Sequence, residues 1–183
     1  MRTKQGAASG FTLIELMTVV LVFSVLAAVA VPAINTWLPG YRLRSSARQF
    51  GSMFQMARLK SATNASEYRV GINPTLSPVS IQVERGNAPT NSTAWVCETG
   101  NYAEMHDSIV ISSVTPATAA EPNLAVCRPD GSSPVTAGFV VIFRPNGSTT
   151  AGAELVVLMS NAQGDQYRVR VANTTGRVRV DKL

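Results

Sequence analysis

The chain has 183 residues, of which 45% are hydrophobic and 15% are charged, and its net charge is +5. This length predicts one globular domain with an appendage, and it excludes a large multidomain protein. Two cysteines and one histidine are too few for a closed zinc site, which usually takes about four such ligands. No metal or cofactor is therefore predicted.

The first ten residues contain two positive charges and no negative one, and residues 11–31 form an apolar run. Such a run is long enough to cross a bilayer as a helix, and the preceding positive charges keep its start in the cytoplasm. Three interpretations compete. They are a secretory signal peptide cut after Ala28-Val29-Ala30, a simple signal anchor, and a signal that is cut before the apolar run. Glu15 separates them, because an intramembrane carboxylate is costly and serves no purpose in the first two.

The contiguous segment Gly10-Phe11-Thr12-Leu13-Ile14-Glu15 resembles the processing site of type IV prepilins and of the pseudopilins of type II secretion. The resemblance implies that a prepilin peptidase cuts between Gly10 and Phe11 and methylates the new amino group of Phe11. It also implies that the helix stays in the inner membrane, in contact with its lipid. An assembly platform protein then helps to transfer the helix into a filament of pilins or pseudopilins.

The position of Glu15 is consistent with this resemblance. Glu15 lies four residues after Phe11, which is one helical turn away on the same face. In a filament of staggered helices, the Glu15 carboxylate of one subunit can meet the Phe11 ammonium of its neighbour. Each charge then has a partner in a low-dielectric core, where an unpaired charge would be expensive.

Residues 11–64 are predicted to form the transmembrane and amphipathic N-terminal helix, after a leader peptide at residues 1–10. Pro32 closes the apolar run, and it either kinks the helix or ends the membrane segment. Pro39-Gly40 is a stronger break and leaves open whether the segment is one helix or two. Beyond it, spacings of four and three residues predict an apolar helix face that packs on the globular domain. This face consists of Leu43, Ala47, Phe50, Phe54 and Ala57.

Basic side chains decorate the rest of this helix, with no acidic residue between Glu15 and Glu67. We interpret them as a solvated face, although those nearest the membrane can also touch anionic lipid. They are Arg42, Arg44, Arg48, Arg58 and Lys60.

After residue 64 the apolar period changes to two, which predicts a β-rich head domain at residues 65–183, on the periplasmic side of the membrane. The predicted fold class is therefore α+β. Cys97 and Cys127 either form a disulfide outside the cytoplasm or are two small core residues. The predicted strands, separated by turn residues, are 68–72, 79–85, 94–97, 109–114, 124–127, 139–144, 154–159, 167–171 and 177–180.

The last two predicted strands form a hairpin in which valines share one face and arginines share the other. If Ala172 pairs with Arg177, then Arg170 lies opposite Arg179, and like charges in that position are unfavourable. Four arginines on an exposed face could bind phosphates. The same alternation is also ordinary in an edge hairpin, where charge prevents aggregation. The four are Arg168, Arg170, Arg177 and Arg179.

Residues 139–180 carry a second resemblance, to the GspH/FimT group, which comprises the H-type pseudopilins of type II secretion and related minor pilins. It rests on the apolar strand at 139–143, Pro145-Asn146-Gly147, a further strand and the terminal segment at 176–180. The resemblance implies a minor subunit at or near the filament tip. In some FimT-type pilins a terminal Gly-Arg-x-Arg motif binds DNA for uptake, and Gly176, Arg177 and Arg179 match it. DNA is thus an alternative partner.

No catalytic motif accompanies these features. The sequence has no phosphate-binding glycine loop, no G-x-S-x-G and no HExxH. His106 next to Asp107 could be a base with its orienting group, but no nucleophile is placed by a motif. We therefore interpret His106 as a loop histidine and predict that the protein is not an enzyme.

Overall fold

The computed structural model describes residues 10–74, 77–115 and 138–183. Within these residues one helix, α1 (Leu13–Asn64), is followed by eight strands. The chain divides into two compact units, Met1–Leu38 and Pro39–Leu183, and α1 contributes its first half to one and its second half to the other. A long apolar N-terminal helix followed by a β-sheet head confirms the predicted α+β fold class.

The first unit contains no buried side chain in its described part, because every residue from Gly10 to Trp37 is exposed. Its most apolar 18-residue window has a mean hydropathy of 2.6, so the helix is long and apolar enough to cross a membrane. Pro32 and Pro39-Gly40 lie inside α1, so this segment forms one helix and not two. The predicted kink at Pro32 stays a prediction.

The second half of α1 lies on the head domain. All five apolar side chains that the spacing predicted are fully buried there, which confirms that face: Leu43, Ala47, Phe50, Phe54 and Ala57. The ring of Phe54 contacts Phe50 edge-on, with centroids 5.5 Å apart, and contacts Phe143 at 6.3 Å. The helix ends at Asn64, at the predicted position.

In the described part of the chain, the head consists of two antiparallel four-stranded sheets. The first has the order β3-β2-β1-β5, and the second has the order β4-β6-β7-β8. Their inward-facing side chains and the buried face of α1 form one hydrophobic core. The strands are β1 (Tyr68–Asn73), β2 (Ser80–Gly86), β3 (Trp95–Glu104), β4 (Ile109–Thr115), β5 (Phe139–Phe143), β6 (Leu155–Asn161), β7 (Gln166–Val171) and β8 (Val178–Lys182).

Strand β3 is longer than predicted. The sequence analysis predicted a strand only at residues 94–97, whereas β3 runs from Trp95 to Glu104. In the structure Glu84 pairs with Cys97, and Gln82 pairs with Tyr102, so the intervening residues form an irregularity in a continuing strand. Gly100 adopts a positive φ of 83°, a conformation that glycine takes without strain. The predicted strand at 124–127 lies outside the described residues.

Candidate functional site: the N-terminal segment and the C-terminal hairpin

The predicted cleavage site lies just before the helix. Gly10, Phe11 and Thr12 are outside α1, and the Phe11 side chain is 85% exposed. The Glu15 backbone N–H donates to Thr12 Oγ1 at 3.3 Å, and the Leu16 N–H donates to the Thr12 carbonyl at 3.2 Å. Thr12 is therefore the N-cap of α1. The sequence analysis missed this role, although Thr12-x-x-Glu15 is the pattern of a capping box.

Glu15 occupies the third position of α1, where the positive end of the helix dipole favours a carboxylate. Its backbone carbonyl accepts a hydrogen bond from Thr18 Oγ1 at 2.8 Å. The helix dipole therefore favours the same negative charge on which the predicted assembly role of Glu15 depends. The assembly role itself depends on a second subunit and stays a prediction.

The C-terminal hairpin has the predicted register. The Ala172 N–H donates to the Arg177 carbonyl at 3.0 Å, and Arg170 lies opposite Arg179. The valine face packs on the core, with Val169 and Val171 fully buried. The hairpin is formed by β7 and β8 at one edge of the second sheet.

Only part of the arginine face remains available to a ligand. Arg170 donates to Asp181 Oδ2 from Nε at 3.0 Å and from Nη2 at 2.6 Å, which offsets the repulsion expected between Arg170 and Arg179. Arg168 is half-buried, and its Nε has no hydrogen-bond partner. Arg177 and Arg179 are exposed, and neither forms an ion pair with a carboxylate among the described residues.

Gly176 has a structural reason to be glycine. Its φ is +60°, and a Cβ at this position would lie 2.6 Å from the Gly147 carbonyl oxygen and 3.1 Å from Arg58 Cδ. A side chain would therefore collide with the neighbouring turn. The predicted DNA-binding glycine thus serves the packing of two turns and a helix against one another.

The sequence analysis assigned Arg58 only to the solvated basic face of the helix, yet it lies where these two turns meet. The Arg58 side chain is exposed and lines an open groove of about 340 Å³ between α1 and the turn after β5. No local signal could have revealed this position, because the groove is formed by segments almost ninety residues apart. The groove is lined by Gln55, Arg58, Leu59, Ala62, Pro145, Asn146 and Gly147.

A polar network joins α1 to β3. Lys60 Nζ donates to Glu98 Oε2 at 2.7 Å, and the Tyr68 hydroxyl donates to Glu98 Oε1 at 3.0 Å. The hydrogen bond from Lys60 holds the pKa of Glu98 below its ordinary value, and burial raises the pKa of the Tyr68 hydroxyl. Lys60 is therefore not part of the solvated face to which the sequence analysis assigned it.

The remaining predicted residues lie apart from these two sites. His106 is exposed between β3 and β4, with Nδ1 3.0 Å from Ser108 Oγ, which agrees with a loop histidine. Among the described residues no cluster of three or more His, Cys, Asp or Glu side chains could hold a metal ion. Cys97 lies in β3, whereas Cys127 lies outside the described residues, so their disulfide stays a prediction.

Comparisons with known proteins agree with this architecture. Residues 6–31 match the family described as the prokaryotic N-terminal methylation motif. The minor pseudopilin EpsH from the type 2 secretion system of Vibrio cholerae is similar in structure. Its TM-score is 0.51 at 12% identity, over 77% of this chain and 97% of that chain. The type IV minor pilin FimU of Pseudomonas aeruginosa gives a TM-score of 0.50 at 10% identity, over 79% and 92% of the two chains.

No curated protein sequence matches the chain. At 10–12% identity, the likeness to the two solved structures concerns the fold. The methylation motif lies at the position where the sequence predicts processing, and the chain covers 97% of the first relative and 92% of the second. The chain therefore has the pilin-like fold of the pseudopilins and minor pilins, with their N-terminal methylation motif.

Proposed function

We propose that this chain is a minor pseudopilin or pilin subunit, of the GspH/FimT type, of a type II secretion pseudopilus or a type IV pilus. The observation that carries the proposal is the first half of α1. It is wholly apolar except for a few small polar side chains and Glu15, and none of its described residues is buried. Such a helix needs another apolar environment, which the bilayer provides before assembly and neighbouring helices provide afterwards.

The mechanism begins with removal of the leader. A prepilin peptidase cuts between Gly10 and Phe11 and methylates the Phe11 nitrogen, and the subunit waits in the inner membrane with its head in the periplasm. An assembly ATPase and the platform protein then extract the helix. The Glu15 carboxylate docks on the Phe11 ammonium of a neighbouring subunit, which sets the axial register of the filament, as a single buried polar group does in a coiled coil. A minor subunit of this type sits at or near the tip.

The N-terminal mass of the mature protein, purified from its native membrane, tests the processing step. We expect a chain that begins with N-methylated Phe11. A chain that begins after Ala30, or that retains Met1, would remove the proposal and leave a secreted or anchored β-rich domain.

Assembly is tested separately with Glu15→Ala. We expect the variant to be cleaved and to remain in the membrane but to be absent from sheared filaments, because the Phe11 ammonium loses its partner. Thr18→Val is the matched control, since it changes a hydroxyl on the same segment that bonds only to its own helix. Wild-type incorporation of Glu15→Ala would contradict the assembly mechanism.

A second candidate function is DNA binding by the head. It is favoured by Arg177 and Arg179, which are exposed and free of carboxylate partners among the described residues, whereas Arg170 is neutralised by Asp181. Arginine suits bidentate contacts with phosphate. The double variant Arg177→Ala with Arg179→Ala should assemble normally and lose duplex binding in a gel-shift titration at about 0.1 M salt. Equal duplex affinity in the two proteins would remove this candidate.

A further inference from the structure

This inference rests on the proposed function, in which the bond between Gly10 and Phe11 is cut. That bond lies just before the first residue of α1. The helix begins at Leu13, and the residues on both sides of the Gly10–Phe11 bond are non-helical and exposed. The Thr12 carbonyl already accepts the N–H of Leu16 at 3.2 Å. The helical hydrogen-bond ladder thus starts two residues after Gly10.

The position at which the helix begins affects hydrolysis, because it decides whether the Gly10 carbonyl accepts a helical hydrogen bond. In an α-helix each carbonyl accepts the N–H four residues ahead, so a helix that began at Phe11 instead of Leu13 would engage the Gly10 carbonyl with the N–H of Ile14. Water attacks this carbonyl, the C–N bond breaks, and the products are the Gly10 carboxylate and the Phe11 ammonium. A peptidase can polarise the carbonyl most easily when it is free of the ladder.

The Thr12 hydroxyl is the group that ends the helix at this place. Thr12 Oγ1 accepts the backbone N–H of Glu15 at 3.3 Å, which satisfies one of the free donors of the first turn. Without the Thr12 hydroxyl, the Glu15 N–H can take the Phe11 carbonyl as its helical acceptor. One further helical residue then brings the Ile14 N–H to the Gly10 carbonyl.

We propose that Thr12 is a positioning residue for leader removal: by capping α1, it keeps the Gly10–Phe11 bond outside the helix and open to the prepilin peptidase. The role belongs to the hydroxyl as a hydrogen-bond acceptor and not to the shape of the side chain. Valine has nearly the shape of threonine but no acceptor, whereas serine and aspartate are good N-caps. These three residues therefore separate capping from steric recognition.

The test measures the rate at which purified prepilin peptidase cleaves the full-length protein in membrane vesicles. The appearance of the shortened chain gives this rate. We expect Thr12→Val to be cleaved about five-fold more slowly than the wild type, the factor that corresponds to a typical N-cap. Thr12→Ser and Thr12→Asp should restore most of the rate. Thr18→Val should be cleaved like the wild type, because its hydroxyl bonds to the Glu15 carbonyl inside the helix.

A second readout reports the backbone directly. The ¹³C chemical shift of a labelled Gly10 carbonyl, measured in detergent micelles, should move toward the helical value in Thr12→Val and stay at the wild-type value in Thr12→Ser. Alkaline extraction of the membranes verifies that all variants are inserted equally, so a slower rate cannot come from poor insertion.

The outcomes distinguish this inference from the proposed function. If wild-type protein is not cut between Gly10 and Phe11, the proposed function itself fails. If wild-type protein is cut there and Thr12→Val is cut at the same rate, only the capping inference is overturned. Equal slowing of Thr12→Val and Thr12→Ser, with an unchanged Gly10 carbonyl shift, would assign Thr12 to direct contact with the peptidase and would also overturn it.

Discussion

The two halves of α1 are helical for different physical reasons. From Leu13 to Trp37 the helix has no buried residue, whereas nine residues between Leu43 and Ser61 are buried on the head. The second half is held by tertiary packing, which is the usual source of helix stability in proteins. The first half gains no such packing among the described residues, and it is long and apolar enough to cross a membrane. One helix therefore has a second half that packs within the head and a first half whose apolar side chains are exposed.

The largest effect that we expect comes from truncating a core side chain. A buried side chain in the second half of α1 should contribute far more to the stability of the head than an exposed one in the first half. Phe54 is fully buried between Phe50 and Phe143, so Phe54→Ala should lower the free energy of unfolding of the head by about 3–5 kcal/mol. Phe23→Ala, at a position that is 67% exposed in the first half, should leave it unchanged. Denaturant titration of the full chain in detergent, followed by Trp95 fluorescence in a Trp37→Phe background, measures both. Similar losses in the two variants would contradict the division.

Gly176→Ala should have the next largest effect. The substitution places a Cβ at φ +60° against the Gly147 carbonyl, and we expect a loss of about 1–3 kcal/mol in the same titration. Gly164→Ala is the matched control, because its φ is +88° and nothing lies within 4 Å of its Cβ position. It carries the backbone strain without the collision. Equal losses in the two alanine variants would show that the contact between the two turns contributes nothing.

The smallest effect concerns the polar link between α1 and β3. The pKa of Glu98 is lowered in the folded state by Lys60, so the carboxylate stabilises the head above its unfolded pKa of about 4.5 and this contribution is lost as the pH falls. Glu98→Gln should therefore cost up to about 1 kcal/mol at pH 7, and the difference from wild type should shrink below pH 4.5. The control is Glu154→Gln, at an exposed site without an ion pair among the described residues. A difference between wild type and Glu98→Gln that is the same at pH 3 and pH 7 would exclude this linkage.

The features that the sequence predicted correctly are those carried by consecutive residues or by one period. The motif at residues 10–15, the apolar run, the buried helix face and the hairpin register follow from local order along the chain. They could be predicted because the buried positions of a helix or a strand recur at a fixed short spacing, so apolar residues appear at that spacing in the sequence. Strand β3 extends beyond its predicted end because an irregularity inside a strand interrupts the two-residue period by which strands are predicted.

The features that only the tertiary structure decided join residues far apart in the chain. β5 pairs with β1, which lies about seventy residues earlier in the chain. Arg58 lies next to the turns at Gly147 and Gly176. Lys60 forms an ion pair with Glu98 of β3. Asp181 neutralises Arg170 instead of Arg168, which lies directly opposite it. The sequence by itself determined the N-terminal methylation motif, the membrane-length helix and the α+β class. The assembled core decided the sheet order and the arginines left exposed, because those depend on which distant surfaces bury one another.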